Sequence, residues 1–239
     1  MDAQDVVPDL APSAQAQAPA PDLNADQHTI AQMDWEALEA SVAECRRCKL
    51  CQTRTKTVFG VGNRQADLLF VGECPGQDED RQGEPFVGRA GQLLNKMLAA
   101  VGLNRDQVYI ANIVKCRPPG NRNPEPDEAS ACRPYLERQI ALIQPKLIVS
   151  LGAVSANNLL GNTEAVGRLR GKPHQYQPHQ YPPHQHQPLQ HQPQPPGQGT
   201  APIPLIVTYH PSYYLRSPAE KAKGWQDLQR IITLLREWH

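Results

Sequence analysis

No stretch of this 239-residue chain is apolar over the roughly 18 residues that a membrane-spanning helix requires. Its first residues also lack the basic start and apolar core of a secretory leader. The expectation is a soluble, cytoplasmic protein with no membrane partner. Positive charge is missing at the amino-terminal end, where nine Asp and Glu residues and no Lys or Arg precede Cys45. Residues 1–30 lack apolar periodicity as well and are rich in Ala, Pro, Gln and Asp. That composition buries too little surface to offset chain entropy, so this arm is expected to be disordered. The formal net charge of zero therefore conceals a basic body: from Cys45 onward, 24 Lys and Arg face 15 acidic residues, a net of +9. Such a body suits a polyanionic partner such as nucleic acid.

Within the body, residues 31–239, four near-continuous apolar runs read as strands buried on both faces of a parallel sheet: 67–73 (DLLFVGE), 108–115 (VYIANIVK), 147–151 (LIVSL) and 204–209 (PLIVTY). Helical spacing relates Leu94, Met97, Leu98 and Val101, then Ala129, Cys132, Leu136 and Ile140, and finally Trp225, Leu228, Ile232 and Leu235. Shorter helices are expected over 31–44 and 153–160. The alternation predicts an α/β fold, a three-layer α/β/α sandwich around a central, mostly parallel four-stranded sheet. Residues 174–200 interrupt it with a low-complexity run of His, Gln and Pro, expected to be a disordered surface insertion whose five histidines offer adventitious metal binding.

Six cysteines, at 45, 48, 51, 74, 116 and 132, invite a disulfide count, but in a chain without a secretory leader metal binding or catalysis is the better reading. Cys45-x2-Cys48-x2-Cys51 resembles the opening of a bacterial ferredoxin run, yet the next ligand position holds Thr55. Cys45-x2-Cys48 with Cys116-x15-Cys132 leaves either zinc or an iron–sulfur cluster open, the long second gap suiting one ligand beyond a strand and another on the following helix. Cys132 taken alone also suits a small buried hydrophobe.

Sites in open parallel sheets form beyond the carboxyl ends of the strands. There the first run delivers Glu73, Cys74 and an acidic stretch through Glu79. The second carries Asn112 and leads into Cys116, Arg117 and Arg122, and the last delivers His210, Ser212 and Arg216. Each has an innocent reading, as a turn residue, a helix cap or a solvated charge, but their meeting at three strand ends favours a site.

The succession GECPGQDEDRQGEPFVGRAGQLL, NIVKCRPPGNRNP, a later Cys, GRLRGK and YHPSYYLR resembles the family 4 uracil-DNA glycosylases, iron–sulfur members of the uracil-DNA glycosylase superfamily. The resemblance spans about residues 41–173 and 202–236. It implies excision of uracil from DNA in base excision repair by a monomer that receives a flipped-out base. It also implies a 4Fe–4S cluster on Cys45, Cys48, Cys116 and Cys132, and a uracil pocket of Glu73, Cys74, Phe86, Asn112 and His210. Phe86 would stack on the base, Asn112 would read N3–H and O4, and His210 would donate to O2 as charge grows there. Glu73 and Glu79 are the candidates for positioning water, with Glu79 or its neighbours also the candidate wall against thymine. Ser212, Arg216, Arg117 and Arg122 would grip DNA. Cys74 departs from the Gly or Ala usual at its position, and strand one ends without the Asp that follows Gly-Gln in the superfamily's best-known family.

Three other readings compete. A covalently trapping relative would carry a KRRIH-type loop, whereas the corresponding stretch here, residues 168–174, has a histidine without that motif. A non-catalytic DNA-binding or polymerase-associated module would need neither Asn112 nor His210. A zinc protein of unrelated function is the third.

Overall fold

The computed structural model describes residues 23–178 and 201–237. Two helices open it, α1 (Leu23–Gln32) and α2 (Trp35–Ala43). A short edge strand β1 (Val61–Gly62) leads to β2 (Leu68–Gly72), then helices α3 (Gln77–Gln82) and α4 (Arg89–Ala100). Strand β3 (Tyr109–Asn112), helix α5 (Pro126–Ile143) and strand β4 (Leu147–Leu151) follow. Next come α6 (Ala153–Leu160), α7 (Val166–Leu169) and β5 (His174–Tyr176). The order closes with β6 (Ile203–Thr208), α8 (Pro211–Arg216) and α9 (Lys221–Glu237).

The sheet runs β1-β3-β2-β4-β6-β5. Its four inner strands are parallel and are the four expected from sequence. The count, however, is six rather than four, because β1 and β5 add antiparallel edges of two and three residues. Strands that short carry no periodicity to read.

Side chains alternate across the inner strands as the period of two requires. Leu69, Val71, Ala111, Ile148, Leu205 and Val207 pack with α1, α2, α5 and α6 on one face. Leu68, Phe70, Ile110, Val149 and Ile206 pack with α4 and α9 on the other. Three layers result.

The amino-terminal boundary differs from expectation. Leu23–Gln32 is helical, inside the segment read as disordered, and packs on α5 with Ile30 buried. The single helix expected over 31–44 is divided, since Asp34 starts α2 afresh by accepting from the Ala37 N–H at 2.9 Å. Of the His/Gln/Pro segment, residues 174–176 form β5 with Tyr176 buried, while 179–200 lie outside the described residues.

Parallel pairing puts the carboxyl ends of β3, β2, β4 and β6 along one rim. From β2 the chain moves to β3 on one side, and it then returns to β4 on the other. That reversal opens a crevice, the usual ligand position in such sheets.

Candidate active site

A cleft of ≈ 650 Å³ lies at this rim, and every strand end contributes to it: Glu73 and Cys74 after β2, Asn112 on β3, Gly152 after β4 and His210 after β6. Asn112 is 2% exposed, and its Oδ1 has no hydrogen-bond partner. A buried acceptor left open costs about 1–3 kcal/mol. An atom kept in that state on a cleft wall is suited to a ligand's donor.

Gly72 makes room for it. In register, Gly72 sits directly beside Asn112. A Cβ there would lie 2.4 Å from Asn112 Oδ1 and 2.6 Å from Phe86 Cζ. The absent side chain is what lets the amide and the aromatic ring meet over the strand end.

Phe86 holds a left-handed backbone, φ 55°, which costs a non-glycine residue of order 1–3 kcal/mol. Three features hold it there. Arg105 donates to the Pro85 and Phe86 carbonyls at 2.7 and 3.2 Å and pairs with Glu84. Glu79 accepts from the Val87 and Gly88 N–H groups at 3.0 and 2.9 Å and from Gly76 N–H at 3.2 Å. Gly91 admits the Phe86 carbonyl where a Cβ would stand 1.7 Å away. The ring thus fixed lies 5.5 Å from the His210 imidazole, tilted by 32°.

His210 caps α8. The Ser212 backbone N–H lies 3.2 Å from its Nδ1 and, being only a donor, makes Nδ1 an acceptor. The Ser212 hydroxyl, 2.8 Å away, donates to the same nitrogen. Burial first, and the Arg216 charge second, pull the His210 pKa down to about 4. The ring is therefore neutral at pH 7 and carries its proton on Nε2. Two residues upstream, Thr208 donates to buried Asp227 at 2.7 Å, and Arg170 forks onto Asp227 at 2.9 and 3.2 Å, so the strand delivering His210 is anchored to α9.

The two carboxylates differ. Burial pushes the Glu73 carboxyl above its ordinary range, whereas both Glu79 oxygens are occupied by backbone N–H groups. Burial, then the Glu73 charge, raise the Cys74 thiol to about 12, so it lines the cleft as a neutral, unreactive group.

Of the residues expected to grip DNA, Ser212 and Arg216 line the cleft and Arg117 and Arg122 do not. Arg122 forks onto Glu128, which is fully buried, at 2.7 and 2.8 Å, and Arg117 binds Asn121 at 2.7 Å. Asn121 and Asn123 of the same loop reach the cleft instead. His174, the histidine of the 168–174 stretch, binds the Leu169 carbonyl at 2.7 Å on β5 and is not a cleft residue.

Cys45, Cys48, Cys116 and Cys132 line one small separate cavity, which Cys51 and Cys74 do not reach. Lys115 N–H points at Cys132 Sγ (3.2 Å) and Arg54 at Cys116 Sγ (3.1 Å). Burial raises Cys116 to about 11 and Cys132 to about 12, so without a cation both remain thiols. Among the described residues no three His, Cys, Asp or Glu side chains converge on a position for one metal ion.

Sequence reasoning missed Gly72 as the gap that admits the Asn112 amide and the Phe86 ring, Arg105 as the clamp on Phe86 and the Arg170–Asp227 anchor. Arg105 and Asp227 stand outside every quoted motif, and only the spare room around Gly72, which sits inside one, had a signal to offer.

The uracil DNA glycosylase superfamily model matches residues 59–229. The chain is 48% identical to a type-4 uracil-DNA glycosylase of Sulfurisphaera tokodaii, covering 83% of this chain and 84% of that protein. It is 38% identical to one of Archaeoglobus fulgidus (82% and 92% covered) and 39% identical to one of Thermotoga maritima (82% and 88% covered). With the strand-end cleft and these matches together, the chain belongs to the uracil-DNA glycosylase superfamily, alongside its type-4 members.

Proposed function

We propose that this cleft hydrolyses the N-glycosidic bond of uracil in DNA, leaving an abasic site as the first step of base excision repair. The observation that carries the reading is the open, buried Asn112 Oδ1 facing the same cleft as Phe86 and a neutral His210.

A base inside a duplex cannot be reached and must be turned out into the pocket. Phe86 stacks on its face, a contact worth roughly 1–3 kcal/mol. Asn112 accepts from uracil N3–H and donates to O4. Cytosine reverses both groups and would leave buried polar atoms facing like against like. Cleavage passes through an oxocarbenium-like sugar while negative charge gathers on the departing base, chiefly at O2. His210 Nε2–H donates there, and the bond strengthens as the charge grows. Because the ring is neutral before and after, this step moves no proton.

Glu73, partly buried and braced by no side-chain hydrogen bond among the described residues, is the carboxylate assigned to the attacking water. It takes the proton released as the water oxygen bonds to C1′ of the sugar, and the departed uracil anion takes a proton from solvent. Glu79 is a positioning residue: its three backbone bonds hold the 76–79 turn, the candidate wall against the thymine methyl, and the Phe86 loop. Ser212 and Arg216 meet the phosphates beside the flipped nucleotide. Arg117 and Arg122 belong to the loop behind it.

The cysteine set fits an iron–sulfur cluster. Four soft donors ring a cavity instead of meeting at a point, and N–H groups are already directed at two sulfurs, as such centres require. A 4Fe–4S cluster held by Cys45, Cys48, Cys116 and Cys132 would cross-link the segment after α2, the exit of β3 and α5. No helix among the described residues is long and apolar enough to cross a membrane. Action as a monomer in the cytoplasm completes the proposal.

The test is a labelled oligonucleotide with one uracil, incubated with folded, iron-loaded protein and then cleaved at abasic sites with alkali. A break at uracil, and none at cytosine or thymine in the same position, is expected. An intact uracil strand would refute the proposal.

A further inference from the structure

Lys115 is the one lysine in the buried core of the described residues, 1% exposed. Its ammonium turns back on the end of β3 and donates to the Asn112 carbonyl at 2.9 Å and to Gln139 Oε1 at 2.6 Å. Gln139 is itself fully buried and donates to the Phe59 carbonyl at 3.0 Å, so its side chain is locked. Both acceptors are neutral. Among the described residues no carboxylate pairs with Lys115; of the buried acids, Asp80 accepts from the Thr55 and Lys56 backbone N–H groups, and Glu128 and Asp227 are engaged by Arg122 and Arg170. A buried ammonium with no counter-charge is one of the least favourable groups a core can hold.

Groups able to supply that charge adjoin the residue. Lys115 lines the cysteine cavity together with Cys116 and Cys132, and its backbone N–H lies 3.2 Å from Cys132 Sγ. Thiolates holding an iron–sulfur core outnumber its positive charge, so the filled centre is anionic. Two further cations stand at the cavity, and both stay partly in water: Arg54, bonded to Cys116 Sγ and shared with the Cys45 carbonyl, and Arg47, which lines the cavity and donates to the Ala131 carbonyl at 3.1 Å.

We propose that Lys115 is a positioning residue coupling the cysteine centre to base reading: its buried ammonium is the counter-charge of the thiolate set, and its bond to the Asn112 carbonyl carries that pairing to the residue that reads uracil. The inference rests on the cluster reading above. Emptying the centre leaves the ammonium uncompensated, and the exit of β3 rearranges around it.

The test compares wild type with Lys115→Met and Gln139→Glu, each loaded with iron and then stripped by oxidation and chelation. Three quantities are measured: the reduction potential of the loaded centre, thermal unfolding of both forms, and affinity for free uracil in both forms. Lys115→Met removes the charge at similar volume. The expected result is a more negative potential, a loaded form that melts below wild type, and a stripped form that melts above it. Wild type loses uracil affinity on stripping, and Lys115→Met is equally weak in both forms. Gln139→Glu brings a carboxylate to Nζ without changing size and shifts the potential in the same direction. If Lys115→Met fails to fold, Gln139→Glu decides alone. An unchanged potential, or equal melting shifts in loaded and stripped forms, overturns the proposal. Wild type that binds no iron would instead overturn the cluster reading.

Discussion

Gly72→Ala isolates the geometry of the pocket from its chemistry. Gly72 does not have the positive φ that would demand glycine, so the added methyl strains no backbone and acts through space alone. It would stand 2.4 Å from Asn112 Oδ1 and 2.6 and 2.7 Å from two Phe86 ring carbons, where ordinary contact begins at 3.4 Å. Asn112 and Phe86 must therefore each retreat by about 1 Å, or the strand end must move. Overpacking of this kind costs about 1–3 kcal/mol of stability, which corresponds to roughly 2–4 °C in Tm per kcal/mol for a domain of this size. A misplacement of about 1 Å among reacting groups costs about 10²-fold in rate. The assay is single-turnover excision from a uracil oligonucleotide at saturating enzyme, with melting temperature and DNA affinity measured alongside. Excision should fall by about 10²-fold while the protein stays folded and DNA affinity barely changes. A variant that excises uracil at the wild-type rate would refute the assignment of Gly72 as the gap that seats Asn112 and Phe86, and of those two as the groups that hold the base.

His210→Ala should lower the chemical step by about 10²–10³-fold, the usual loss on removing one preorganised donor, with DNA binding retained in a gel-shift measurement. His210 also gives a pH signature. Its folded pKa of about 4 lies below its ordinary 6.5, so between those values the unfolded chain binds a proton that the folded chain refuses. Stability should fall as pH drops from about 6.5 to about 4, by roughly 3 kcal/mol at most, and then level off. Urea unfolding at pH 5 and 7 should show a smaller difference for His210→Ala than for wild type. Asn112→Asp should depress uracil excision and raise the cytosine-to-uracil ratio, read on matched oligonucleotides. Arg105→Ala frees the Phe86 backbone and should lower kcat/KM by about tenfold, roughly 1.4 kcal/mol, with the loss greater in KM than in kcat.

The parallel core was legible because its strands are buried on both faces and announce themselves as apolar runs. β1 and β5 were not, since an edge of two or three residues has no room for a pattern. α1 was hidden by composition: Ile30 is buried and docks a segment polar enough to read as disordered. In the site, Asn112, Phe86 and His210 stood at strand ends and in motifs, and the fold brings them to one cleft. What sequence withheld were partners distant along the chain. No local pattern shows that Arg122 is forked onto buried Glu128, or that three backbone N–H groups occupy the Glu79 oxygens. Arg105 acts on a loop twenty residues away, a relation no local pattern encodes.

In the proposed mechanism the chemistry lies on a neutral imidazole that donates from Nε2, with the cysteine centre beside it. Nitrogen-15 NMR of the His210 ring, titrated from pH 8 to 4 with uracil bound in the cleft, tests this directly. A protonated Nε2, an unprotonated Nδ1 held by Ser212, and no second protonation until the pH nears about 4 are expected. An imidazolium at neutral pH, or a proton on Nδ1, would contradict this mechanism.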